Sequence, residues 1–346
     1  MIEVKNLVKA YGNHFAVKDI SFTINDNEIV GFLGPNGAGK STTMNIITGY
    51  LSATSGSVSV NGYDVLEQPY EAKRQIGYLS EQPPLYLDMT VKEYLNFVYD
   101  LKKTKLPREP HLKEIVQLIK IDHVYNRLIR NLSKGYKQRV GIAQALIGNP
   151  KVLILDEPTV GLDPKQIVEI RNLIAQLGRN HTVILSSHIL SEIQSVCERI
   201  IIINQGYQIA DDTADRLSAG LSDDRMVMVR IVAPPREAKK MLESIPGVVD
   251  VQVAAIHTNS TVFKVEPAAG TDISGAVAER AMTKRWPILE LYTKQMSLED
   301  IYMHMVDQDP ALLDIHREAK AAKNMEQKQS DDQAEPQTEQ QEEQDA

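Results

Sequence analysis

Cysteine is almost missing from this chain: Cys197 is the only one in 346 residues. No intrachain disulfide can form, which fits a reducing compartment. Cys197 reads as a small buried hydrophobe rather than a reactive thiol. Aromatic residues make up only 5% of the chain, with one tryptophan, Trp286, expected in the core of a small C-terminal domain. No apolar run approaches the ~18 residues of a membrane helix. Met1-Ile2-Glu3-Val4-Lys5 has no apolar stretch of the kind a signal peptide needs. A basic excess is also lacking. The net charge is −8, and residues 324–346 set eight acids against the single base Lys328, so the tail carries −7 and the rest −1. A near-neutral body leaves no electrostatic footprint for nucleic acid, so none is expected as a partner. The tail is rich in Gln and Glu and has no aromatics, which predicts disorder. No internal repeat and no metal-ligand spacing stands out.

What the chain does have is alternation. Strand-like runs at 28–33, 151–155, 182–186 and 199–204 are interleaved with helical patterns at 42–48, 134–148 and 165–177. That order predicts an α/β core with a largely parallel sheet. The beginning differs: 2–7, 15–24 and 57–60 read as antiparallel strands, with turns at 11–13 and 25–27. Residues 85–150 carry helical periodicity and few strand signals. Residues 219–224 read as a linker. Beyond it, strands at 226–232, 248–255, 261–265 and 287–292 and helices at 235–245 and 272–284 follow the order strand–helix–strand–strand–helix–strand. That is the split arrangement of ferredoxin-like α+β domains. A last helix is expected at 297–305, capped by Ser297.

The most informative stretch is Gly34-Pro35-Asn36-Gly37-Ala38-Gly39-Lys40-Ser41. It fits G-x-x-x-x-G-K-[ST], the phosphate-binding loop. A short apolar strand precedes it, and a helix beginning around Thr42 follows and stops at Gly49. Glycines let successive N–H groups point inward, and the helix N-terminus adds about half a positive charge. Lys40 is expected to reach the β- and γ-phosphates and the Ser41 hydroxyl to ligate Mg²⁺. Val152-Leu153-Ile154-Leu155-Asp156-Glu157 supplies the complement, a buried strand ending in two acids. Asp156 is expected to bind Mg²⁺ through water, and Glu157 to act as general base toward the attacking water.

Further segments carry a family resemblance. Leu132-Ser133-Lys134-Gly135-Tyr136-Lys137-Gln138-Arg139, shortly before the acidic strand, resembles the signature motif of ATP-binding cassette (ABC) ATPases. Asp156-Glu157-Pro158-Thr159-Val160-Gly161-Leu162-Asp163-Pro164 resembles that family's catalytic strand end and dimer-contact loop. Ser187-His188 resembles its switch histidine, and Tyr11 stands where an aromatic stacks on adenine. Gly77-Tyr78-Leu79-Ser80-Glu81-Gln82 is similar to the loop that links nucleotide to a transmembrane partner. The matches span 1–220 in the family's order.

The resemblance implies an ABC-type core at 1–220 with an antiparallel β subdomain and a helical subdomain at about 85–150. It leaves a ferredoxin-like accessory domain at 221–306 and an acidic tail at 307–346. It implies two cassettes, as a homodimer or heterodimer, closing head to tail over two ATP molecules with Mg²⁺. Ser133 and the Gly135 backbone would donate to the γ-phosphate held by the other cassette, and Asp163 would orient the loop at the seam. Lys40, Mg²⁺ and His188 would neutralise developing charge. Two departures stand out: Lys134 and Tyr136 replace the commoner Gly and Gln, and Glu81 replaces the commoner Gln of the linking loop. Either Glu81 binds the metal or Gln82 takes the role one residue later; Glu81 is the favoured reading. Pro83-Pro84-Leu85-Tyr86-Leu87 then suits a groove for a permease helix.

The expected function is ATP hydrolysis powering transport, export above all, through a separate membrane permease. The chain would sit peripherally on the cytoplasmic face of the membrane. A soluble cassette in translation or DNA repair is the alternative. Heptads, zinc-type cysteines and a second cassette, which such proteins carry, are absent from the sequence.

Overall fold

The computed structural model describes residues 1–219, 225–268, 271–295 and 298–307. The linker beyond Ala219, the Ser297 cap and the tail from 308 lie outside the described residues. The chain divides into two compact units, the first comprising Met1–Cys197 and Ile201–Asp211, the second centred on Asp212–His304.

In the first unit, β1 (Ile2–Tyr11) and β2 (His14–Ile24) make a hairpin turned at Gly12, where φ is 60°. Alternation on β1 buries Ile2, Val4 and Leu7. β3 (Ile29–Leu33) is buried along its whole length, as a parallel strand covered on both faces should be. The chain then forms α1 (Lys40–Ile47), β4 (Ser55–Val60), β5 (Tyr63–Asp64), α2 (Pro69–Gln75) and β6 (Ile76–Leu79). α1 ends as the sequence predicts, with Gly49 at φ 68°. A helical stretch follows: α3 (Val91–Leu101), α4 (Arg108–Ile119) and α5 (Lys134–Leu146). α3 opens on a complete capping box between Thr90 and Glu93. The unit closes with β7 (Val152–Asp156), α6 (Pro164–Leu177), β8 (Thr182–Ser187), α7 (Leu190–Gln194), β9 (Arg199–Asn204) and β10 (Tyr207–Thr213).

Two sheets result. The antiparallel one runs β2-β1-β4-β5, and the six-stranded one runs β10-β9-β3-β8-β7-β6. β3 and β8, β8 and β7, and β7 and β6 pair in parallel, with Leu33 beside Ser187 and Asp156 beside Ser186. β3, β7 and β8 therefore deliver their C-terminal ends to one edge, where ligands of open α/β sheets bind. One apolar core, including Ile2, Phe22, Phe32, Met44, Ile47 and Ile154, joins the antiparallel strands, α1 and a face of the six-stranded sheet.

One expectation needs correcting. Gly77, Tyr78 and Leu79 belong to β6, and the loop begins only at Ser80. Ile76-Gly77-Tyr78-Leu79 is a short, mostly buried run that forms the edge strand beside β7. Gly77 is required there, because a Cβ would lie 2.3 Å from the Ala145 carbonyl oxygen.

The second unit contains α8 (Ala214–Ala219), β11 (Arg225–Ile231), α9 (Pro235–Glu243), β12 (Val248–Ile256), β13 (Thr261–Pro267), α10 (Ser274–Thr283) and β14 (Ile288–Gln295). α11 (Leu298–Asp307) ends the described chain. The sheet order is β12-β13-β11-β14 with antiparallel pairing throughout. This is the ferredoxin-like topology that the order of elements predicts. Val229, Phe263 and Val265 face Ala238 and Leu242 of α9 and Val277 of α10 in its core. Trp286 packs at the margin of that core and stays half-buried.

Candidate functional site

The loop between β3 and α1 is shaped by close backbone approaches. A Cβ on Gly34 would lie 2.2 Å from the Ile203 carbonyl oxygen, and one on Gly39, at φ 109°, would lie 2.5 Å from that of Ala16. Only glycine fits either place. The Ala38 N–H donates to the Pro35 carbonyl at 3.1 Å, closing the turn. Lys40 is the first residue of α1, and its ammonium donates to the carbonyls of Gly34 (2.7 Å) and Pro35 (3.3 Å). Burial pushes the pKa of this ammonium down, and the carboxylates of Glu157, Asp156 and Glu81 push against that shift. Ser41 is exposed and Thr42 half-buried beside it.

Asp156 ends β7 and is 3% exposed. The Ser186 hydroxyl donates to its Oδ1. Glu157, 6% exposed, sits in the left-handed region at φ 48°, which costs a residue with a Cβ about 1–2 kcal/mol. Its N–H is shared between the Ser186 Oγ (3.0 Å) and the Ser186 carbonyl (3.3 Å), which pins the backbone there. The turn swings the carboxylate away from the strand. Its oxygens lie 3.0 Å from Nδ1 of His188, and one is 3.7 Å from the Lys40 ammonium. A carboxylate only accepts, so Nδ1 of His188 carries the proton. Lys40, Glu157 and His188 thus form one linked group. Asp156 also acts on Tyr78, whose phenol is raised by burial first and by the Asp156 charge second.

A cavity of about 510 Å³ opens on this group. Asn36, Gly37, Gly39, Lys40, Ser41 and Thr42 line one side, Glu157, Val160 and His188 another. Tyr11, half-exposed at the end of β1, and Glu81 complete the wall. Gln82, the alternative to Glu81, is not among the lining residues. Gly34, Pro35 and Ala38 shape the loop from behind.

The remaining site residues gather elsewhere. Ser133 is exposed and caps α5, its Oγ accepting from the Tyr136 N–H at 3.4 Å. Gly135 is buried against Gln166, whose Oε1 would lie 2.4 Å from an added Cβ. Asp163 caps α6, accepting from the Gln166 N–H at 2.9 Å. None of the three lines the cavity. Tyr136 is tied to His123 by a 2.9 Å hydrogen bond, a contact the commoner Gln would not stack to make.

Three contributors escaped the sequence reading. His14 lines the cavity, paired with Tyr11 across the hairpin. Ser186 aligns both acids, and its only signal was a polar residue ending an apolar strand just before His188. Glu192 is buried and accepts from Thr159 (2.6 Å) and Ser187 (3.0 Å), joining the loops after β7 and β8. Nothing local marks Glu192 as more than a helix residue.

Among the described residues no group of three or more His, Cys, Asp or Glu forms a metal cage. What exists is a set of hard oxygen donors: the Ser41 hydroxyl and the carboxylates of Glu81 and Asp156. That set suits Mg²⁺, which keeps waters and takes one or two protein oxygens together with substrate phosphates.

A family profile described as ABC transporter matches residues 17–160. The chain is similar to the linearmycin resistance ATP-binding protein LnrL of Bacillus subtilis (strain 168), 32% identical over 309 residues covering 88% of this chain and 98% of LnrL. It is also similar to the bacitracin transport ATP-binding protein BcrA of Bacillus licheniformis, 37% identical over 219 residues covering 63% of this chain and 71% of BcrA. Among solved structures, an ATP binding subunit of an ABC transporter aligns with TM-score 0.59 and 30% identity, over 64% of this chain and 93% of the other. The dimeric post-hydrolysis state of the cassette MJ0796 bound to ADP and Pi aligns with TM-score 0.56 and 28% identity, over 62% and 98%.

Proposed function

The chain belongs to the ABC transporter family and is an ATPase of that family, and from this premise we propose that two copies close over two ATP molecules to drive a separate membrane permease. Residues 1–220 are the cassette in this reading and 221–306 an accessory domain. The observation that carries it is a division of the site. Lys40, Glu157 and His188 share a cavity, whereas Ser133, Gly135 and Asp163 stand outside it on an exposed helix start and its neighbouring loop. In this reading a nucleotide in the cavity takes its Ser133 from another copy.

Within one cavity the residues divide the work. The loop amides and Lys40 hold the phosphates, and Tyr11 stacks on the base. Ser41, Asp156 and Glu81 hold Mg²⁺, which supplies charge neutralisation at the phosphates when bound. Glu157 takes a proton from the attacking water, and His188 holds that carboxylate in place. Cleavage and phosphate loss remove the anion that Ser133 and the α5 N-terminus grip, so the pair reopens.

In this reading the permease contact is at Tyr86. Its ring is half-exposed and packs edge-on against Phe97, at 5.3 Å and 89°. Leu87 beside it is also exposed, and this apolar patch begins a few residues after Glu81. Among the described residues no helix is long and apolar enough to cross a membrane; the reading assigns the membrane part to a separate chain. The similarity to relatives named for linearmycin resistance and bacitracin transport favours outward transport, with the chain on the cytoplasmic face. Purification from detergent, with a crosslinker at position 86, tests this. A polytopic membrane protein bound at Tyr86 supports it; ribosomes or DNA in its place contradict it.

A further inference from the structure

Ile147-Gly148-Asn149-Pro150 joins α5 to β7. Gly148 and Asn149 have φ of 93° and 50°, so the turn leaves the helix abruptly; it closes the Ile147 N–H to Gln144 and Asn149 N–H to Leu146 bonds itself but leaves other polar groups to be met from outside. Side chains from three other places meet them. Lys102, just past α3, points its ammonium at the carbonyls of Gln144 (3.0 Å), Ala145 (3.1 Å) and Ile147 (2.9 Å). His111 on α4 accepts from the Gly148 N–H at 3.0 Å through Nε2. His181, just before β8, donates from Nδ1 to the Pro150 carbonyl at 2.8 Å.

This is an expensive way to end a helix. Burial pushes the Lys102 ammonium down to about 8, and taking a cation from water is costly unless it is fully hydrogen-bonded. Three carbonyls and the negative end of α5 meet that need. The helix carries Ser133 at its other end, about 20 Å away for thirteen residues. The strand carries Asp156 and then Glu157 at its own far end.

We propose that Lys102 and His111 are positioning residues for ATP hydrolysis, holding the α5–β7 turn so that Ser133 and Glu157 are carried on one rigid lever. The inference rests on the reading that Ser133 meets nucleotide bound to a second copy. Helix and strand are separate elements whose relative angle is set only at this turn and by packing along their sides. With the turn loosened, the helix still forms and the phosphate loop is untouched. The signature end then samples a wider arc, and geometry off by 1 Å is enough to slow the reaction.

The test uses full-length Lys102→Met, which keeps the aliphatic stem, together with His111→Leu and His111→Gln. ADP affinity, kcat and KM for ATP, and ATP-dependent mass by light scattering are measured for each. The expected result is ADP affinity within about twofold of wild type and kcat lowered about tenfold in Lys102→Met and His111→Leu. His111→Gln, whose amide oxygen still accepts from Gly148, keeps more than about half of wild-type kcat. Wild-type kcat in His111→Leu overturns the proposal, as does equal damage in His111→Leu and His111→Gln. Should Lys102→Met not fold, the two His111 variants decide the matter alone. Light scattering separates the two claims: a wild type that never pairs with ATP removes the reading of Ser133 and this inference with it. A wild type that pairs, beside variants that pair and turn over normally, removes this inference only.

Discussion

Glu157→Gln changes one atom and almost no volume, so its effect isolates the carboxylate. The native side chain is nearly buried, fixed by a left-handed backbone and clasped by His188 at 3.0 Å. The amide keeps that shape and can still accept one hydrogen bond through its oxygen. It cannot take a proton from water. A positioned general base is worth about 10²–10⁴ in rate, or about 2.7–5.4 kcal/mol of barrier. Glu157 is also the first of three carboxylates favouring the Lys40 charge, but Asp156 and Glu81 remain after the substitution. Lys40 therefore stays able to hold phosphate, and KM for ATP should move by no more than about threefold. Phosphate release from purified protein, at saturating ATP and in single turnover, reads the effect. A kcat above about a tenth of wild type would mean that the proton goes elsewhere, and the base assignment would fall.

Other outcomes follow from neighbouring contacts. Ser186→Ala frees the hydrogen bonds that align Asp156 and Glu157; kcat should fall about tenfold with ADP affinity unchanged, and wild-type kcat would contradict the alignment. Burial holds the His111 imidazole below its ordinary range, with Lys102 acting the same way and Glu114 opposing both. Between that lowered pKa and 6.5 the unfolded chain binds the extra proton, so this contribution to stability is complete above 6.5 and is lost as the pH falls below it. The melting temperature of wild type should thus drop relative to His111→Gln from pH 7.5 to 5; a constant difference would contradict it. Removal of residues 324–346 should leave ATPase activity unchanged, and a large loss would make the acidic tail part of the machinery.

The sequence made legible what is encoded in contiguous residues. The loop at 34–41 announces itself because glycine positions and a lysine are fixed by local geometry. Val152 to Glu157 does so only in company with that loop, because many buried strands end in an acid and the phosphate loop is what gives these two a use. The ferredoxin-like order emerged for the same reason, as each strand and helix carries its own period. The resemblance assigns Gly77 to Leu79 to a loop; they form β6 instead, and the need for Gly77 comes from an Ala145 carbonyl distant in sequence. Ser186, Glu192 and Lys102 stayed invisible as functional residues. Their importance comes from partners 30, 33 and about 42–45 residues away, and no window along the chain contains both members of such a pair. The separation of Ser133 from the cavity is likewise a property of the folded chain.

Mixing two defective variants bears most directly on the claim that one nucleotide is served by two copies. Lys40→Ala lacks the phosphate loop's cation, and Ser133→Arg blocks the signature; each alone should be inactive. In a random mixture half the pairs join one of each, and one of the two sites in such a pair has both Lys40 and Ser133 intact. About a quarter of wild-type ATPase activity per total protein should return on mixing. A mixture as inactive as its components, in proteins that light scattering shows to be paired, would contradict the shared site.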